Sequence, residues 1–135
     1  MADQATETAL IEALEDEYKA RATYRRIIEN FGPVRPFINI VEAEDRHASA
    51  LLRLFDRFGL EPPKDDWAAK VEAPETIAEA CREAVAAEIE NGAMYDRLLA
   101  AVDEPAIRDV FLNLQDASQN RHLPAFQRCL ERESR

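Results

Sequence analysis

Apolar side chains recur at intervals of three and four along almost the whole chain, in four blocks set apart by breakers. That period is the signature of helices with one buried face. The blocks predict helices over about residues 6–30, 34–58, 74–102 and 105–133. Phe31-Gly32-Pro33 stops the first, and Gly59 ends the second. Pro36, Pro74 and Pro105 stand where helices open, because a first turn has N–H groups without partners and tolerates proline. No window alternates with period two over a useful length, so no strand is expected.

Two of the three connections are only a few residues long, which implies antiparallel neighbours. The third, GLEPPKDDWAAKVEA at residues 59–73, is long. Fully extended it reaches about 50 Å, against about 36 Å for a helix of ~24 residues. It can therefore cross the full length of a bundle and return the chain to the same end. Trp67 is expected to pin it to the bundle surface. The expected architecture is all-α: one domain over residues 1–135, an antiparallel four-helix bundle with a long crossover between helices 2 and 3.

Composition agrees and narrows the function. Hydrophobic residues make up 47% and there are only 3 glycines, which suits a folded helical chain. The formal net charge is −10, from 27 acids against 17 bases. Such a field repels nucleic acid and anionic membrane surfaces and attracts cations. No apolar run approaches the ~20 residues that span a bilayer, and the acidic start lacks the basic region of a secretory signal. A cytoplasmic location is expected.

The blocks repeat. EYKARATYRRII at 17–28 aligns with EIENGAMYDRLL at 88–99, placing Glu17 on Glu88 and Tyr24 on Tyr95. EDRH at 44–47 and QNRH at 119–122 hold the only two histidines. On the helical stripes, Glu17, Glu44, His47, Glu88, Gln119 and His122 all fall mid-helix on the apolar face. One carboxylate there often marks a tilted, partly wet edge, and one histidine there is commonly just hydrogen-bonded. Polar groups at one depth in all four helices point instead to a shared metal site, since a buried carboxylate is costly unless paired or bound to a cation.

One Glu from each of two helices, with Glu-x-x-His from each of the other two, is the ligand pattern of ferritin-like dimetal-carboxylate bundles. Through DEYKARATY, AEDRH and AEIENGAMYDRLL the chain resembles that superfamily over nearly its whole length. It is most similar to a small bacterial and archaeal ferritin-like family of unassigned function, and more distantly to the erythrin domain of rubrerythrins. The resemblance implies Glu17 and Glu88 as terminal ligands, His47 and His122 as one ligand to each metal, and Glu44 as a bridge. Gln119 stands where a second bridging carboxylate belongs, and an amide brings no charge and bridges poorly. Iron, as two ions, is the implied cofactor, with manganese or a mixed pair as alternatives. The implied activity is redox chemistry on oxygen or peroxide, with an external electron donor because the chain has no CxxC pair, and a homodimer as the assembly. Two alternatives remain: a non-catalytic metal-binding module, mononuclear if Gln119 weakens one side, and a metal-free structural bundle.

Four further features lie on these faces. Tyr24 and Tyr95 each follow a ligand candidate by two turns, as hydrogen-bond partners or electron relays, or simply as core tyrosines. Arg21, one turn from Glu17, either offsets acidic charge or reaches to solvent. Residues level across an antiparallel hairpin share an index sum, so if Glu88 meets His122 then Cys81 meets Cys129. They are expected as neighbouring thiols, bridged if their Cα atoms come within about 7 Å, or simply as two small core residues. Pro124 is predicted to kink or widen the fourth helix beside His122.

Overall fold

The computed structural model describes residues 2–135. Helix α1 spans Gln4–Phe31, α2 Phe37–Arg57 and α3 Ile77–Ala101. The fourth arm is α4, Pro105–Ala117, and α5, Leu123–Glu133, joined end to end by a π-turn over Ser118–His122. No strand occurs among the described residues, so the chain is an all-α four-helix bundle.

Local chemistry sets the ends. The Asp3 carboxylate accepts from the Thr6 N–H at 2.7 Å and starts α1. Gly32, at φ 89°, sits in the left-handed region that glycine enters freely and ends α1. The third helix opens at Ile77 rather than Pro74, because the Thr76 hydroxyl caps the Glu79 N–H. The second opens at Phe37, with Pro36 just outside it at the cap position. Glu104 caps α4, and Pro105 occupies its first turn as expected.

Cross-helix pairs fix the directions. Glu17 meets His47 and Tyr24 meets Phe37, so α1 and α2 are antiparallel. Tyr24 meets Glu88 and Tyr95 meets Glu17, so α1 and α3 are antiparallel too. Hence α2 and α3 run the same way, and residues 58–76 carry the chain back along the bundle. That crossover lies on α1: Arg26 donates to the Ala68 carbonyl, and Arg21 bridges Asp45 of α2 and Asp65 of the crossover. Trp67 packs against the core as expected, with Lys19 and Lys70 over its ring.

Two apolar clusters fill the bundle. One gathers Leu10, Leu14, Leu51, Phe55, Tyr95 and Phe111; the other gathers Tyr24, Phe37, Ala80, Cys81, Phe126 and Cys129. Between them lies a layer of buried acids and imidazoles. Among the described residues, no helix is long and apolar enough to cross a membrane.

Candidate metal centre

Each arm of the bundle sends at least one polar group into the layer between the apolar clusters, and α2 sends two. Glu17, Glu44, Glu88 and His122 are each at most 4% exposed, and His47 is 8% exposed. Their donor atoms form two groups that share Glu44: Glu17, Glu44 and His47, and Glu44, Glu88 and His122, with all atoms in each group within 4.8 Å of one another. Both rings turn Nδ1 toward the carboxylates. His47 Nδ1 lies 3.2 Å from Glu17 Oε1 and 3.6 Å from Glu44 Oε1. His122 Nδ1 lies 3.2 Å from Glu44 Oε1 and 3.7 Å from Glu88 Oε1. The rings stack with centroids 5.5 Å apart.

The tyrosines brace this layer crosswise. Tyr24 of α1 donates to Glu88 Oε2 of α3 at 2.7 Å, and Tyr95 of α3 donates to Glu17 Oε2 of α1 at 2.7 Å. Burial raises both hydroxyls well above the usual tyrosine range, and the adjacent carboxylates raise them further, so both remain donors. Asn91 adds hydrogen bonds to Asp16 at 2.7 Å and to Glu17 at 3.2 Å. Burial lifts Asp16 to about 6, despite the Asn91 hydrogen bond, with Glu17 and Glu88 adding to the rise. Arg21 turns away from Glu17 to its two aspartates and the Tyr18 ring.

Electrostatics splits the three glutamates. Burial alone would raise Glu17, but hydrogen bonds with His47, Glu44 and Tyr95 hold it at about 2. Glu44 is pushed well above the carboxylate range by burial first, then by Glu17, Glu88 and Asp16. Without a cation, burial and the neighbouring acids thus push the shared carboxyl toward its protonated form. A divalent ion in place of the proton would satisfy the same oxygens with opposite charge. His122 Nδ1 supports that fit: it is buried, aimed at the carboxylates, and makes no hydrogen bond of acceptable angle. Carboxylate oxygens with imidazole nitrogen suit iron, manganese or zinc.

The fourth arm departs from simple helical spacing. Pro124 has no N–H for the Asn120 carbonyl, and its ring crowds that turn. The chain widens there, and the Leu123 N–H reaches five residues back to Ser118. The distortion expected beside Pro124 is this π-turn. It moves the residue four before His122, rather than three, onto the site face. Ser118 is 2% exposed and donates to Glu88 Oε1 at 2.7 Å. Gln119, expected as a ligand, lies beside the site instead: its amide donates to the Glu88 carbonyl at 2.6 Å and to Ser118 Oγ at 2.8 Å. Ser118, four residues before His122 and so near it in angle even in a plain helix, reads from sequence as only a weak ligand; the π-turn brings it fully onto the site face. The even fours of Leu114, Ser118, His122 and Phe126, with Pro124 between the last two, are the signal that carries it.

Cys81 and Cys129 meet, as the index sum requires, and are joined as a disulfide with Cα atoms 5.9 Å apart.

These features define an all-helical four-helix bundle whose buried glutamates and histidines can hold a metal ion. The chain belongs to the family described as an uncharacterized protein domain, DUF2202, which matches residues 6–135. None of the curated proteins matches it. Among solved structures it is similar to the crystal structure of hypothetical protein MJ0754 from Methanococcus jannaschii DSM 2661. The match has a TM-score of 0.87 and 23% identity, over 99% of this chain and 83% of that one. At that identity the likeness speaks for the fold alone.

Proposed function

We propose that this chain is a ferritin-like dimetal-carboxylate protein that binds iron and activates oxygen or peroxide. The observation that carries the reading is the pair of three-residue donor groups sharing Glu44, drawn from all four arms of the bundle. Glu17 and His47 would hold one ion, Glu88 and His122 the other, and Glu44 would bridge them. Bound iron would supply Lewis acidity and one-electron steps. The chain's residues supply the rest. Tyr24 and Tyr95 fix the terminal carboxylates, the two apolar clusters exclude water, and Ser118 orients Glu88. A cytoplasmic setting, an external electron donor and a homodimer belong to the same reading.

One feature favours a second reading, a non-catalytic metal-binding module. Ser118 stands on the face where a fourth carboxylate would complete charge balance. Three carboxylates leave two divalent ions one unit positive, so one ion would be held less firmly.

Anaerobic loading with Fe(II), followed by metal counting and addition of oxygen or peroxide, separates the two. About two irons per chain with turnover is the outcome expected of the redox protein. One firmly held iron without turnover supports the binding module. No iron retained, together with unchanged stability in Glu44→Ala and His47→Ala, sinks both.

A further inference from the structure

We propose that Cys81 and Cys129 are a two-electron store for the metal centre: as a dithiol they reduce peroxide there and close to the disulfide. The inference rests on the metal-centre reading above.

Five observations place the pair. Both cysteines are fully buried, and they join α3 to α5. They lie two turns from Glu88 and His122, about 10 Å along the helix axis. Tyr24 stands between: it belongs to the same apolar cluster as both cysteines, packs on Phe126, and donates to Glu88 at 2.7 Å. The internal repeat is broken here. The matching residues at the other end of the bundle are Leu10 and Leu54, at most 5% exposed, which pack without a bridge. Packing alone thus closes that end, and chemistry distinguishes the cysteine end. Finally, a cavity of about 580 Å³ between α1, α3 and the crossover touches Tyr24, Glu44 and Glu88 at the site. The same cavity is walled by Ala80 and Ala84, which adjoin Cys81 on α3. It is far roomier than the ~30 Å³ share of a water molecule. Peroxide therefore has a route to the carboxylates, and a small thiol has a route to the neighbourhood of Cys81.

The step balances without another redox partner. Two S–H bonds and the O–O bond break, an S–S bond forms, and two electrons and two protons pass to peroxide to leave two waters. A small external thiol or dithiol then reduces the bridge.

The test uses the whole protein. It is reduced anaerobically with dithiothreitol, freed of reductant, and divided into iron-loaded and metal-free samples. Glu44→Ala exposed to the same Fe(II) controls for loosely bound iron. After one equivalent of hydrogen peroxide, free thiols are counted by maleimide labelling and mass spectrometry, and ferrous iron by chelation. The expected result is loss of both thiols in the loaded protein, at least tenfold faster than in either control, with the iron still ferrous at the end. A bridge that resists dithiothreitol in the folded protein overturns the proposal. So do thiols that survive while bound iron becomes ferric, and thiols lost equally fast without metal; both leave the metal-centre reading standing. Failure to bind iron overturns both together.

Discussion

A methyl group added at position 92 would lie 2.4 Å from Gln119 Cδ, closer than real contacts allow. Gly92 leaves room for the Gln119 amide, which donates to the Glu88 carbonyl one turn back on α3. In an open helix, Gly→Ala is worth about 1 kcal/mol of stability. Here Gly92→Ala is expected to destabilise by about 1 kcal/mol, because expelling the amide removes a partly buried hydrogen bond. In a Gln119→Ala background the same change should stabilise. A double-mutant cycle in denaturant measures the sign reversal, and additive effects would contradict the steric account. The same geometry decides where a fourth carboxylate belongs. Gln119→Glu would set an acid against the Glu88 carbonyl and is expected to cost about 1–3 kcal/mol without tightening metal binding. Ser118→Asp would add its oxygens beside the Glu88 carboxylate, lowering metal-free stability and tightening metal binding. Titration of both variants with Fe(II) under nitrogen distinguishes them.

At the scale of the elements, the π-turn and the crossover do the positioning. The π-turn absorbs the extra residue that keeps Leu114, Ser118, His122 and Phe126 all buried, where plain α geometry would rotate such a series of fours round the helix. The crossover is fastened mainly through Arg21, whose guanidinium spans Asp45 at 2.7 Å and Asp65 at 2.9 Å. Both aspartates are partly exposed, so solvent screening limits the pair to ~1 kcal/mol or less. Arg21→Ala should therefore leave global unfolding nearly unchanged but free the crossover. Trypsin cleavage after Lys64 and Lys70 is the measurement, and unchanged protection would show that Trp67 and the Arg26–Ala68 hydrogen bond hold the segment.

For the whole molecule, the acidic layer between two apolar clusters is a weakness unless something neutralises it. Buried carboxylates that share a proton cost stability, and an ion bound only by the folded state returns it by mass action. At one hundred times its dissociation constant, a metal adds about 2.7 kcal/mol. For a chain of this size that should raise the melting temperature by roughly 10 °C. Calorimetry with Fe(II) or Mn(II) under nitrogen checks it. The rise should vanish in Glu44→Ala, since Glu44 belongs to both donor groups. A rise that persists there would place the stabilising ion elsewhere on the acidic surface.

What the chain determined by itself follows from local physics. Periodicity fixed four helices, breakers fixed the short turns, and the length of residues 59–73 made the crossover feasible. The internal repeat put Glu17, Glu44, His47, Glu88 and His122 at one depth. Equal index sums brought Cys81 level with Cys129. Each of these depends on spacing along a regular helix, which sequence encodes directly. The tertiary structure decided what regular spacing cannot express. It set the choice between Ser118 and Gln119, because a π-turn beside Pro124 changes which residue faces inward. It also set the Gly92–Gln119 fit, the crossed tyrosine braces and the cavity beneath the crossover. Those depend on how two helices meet, and no single helix carries that information.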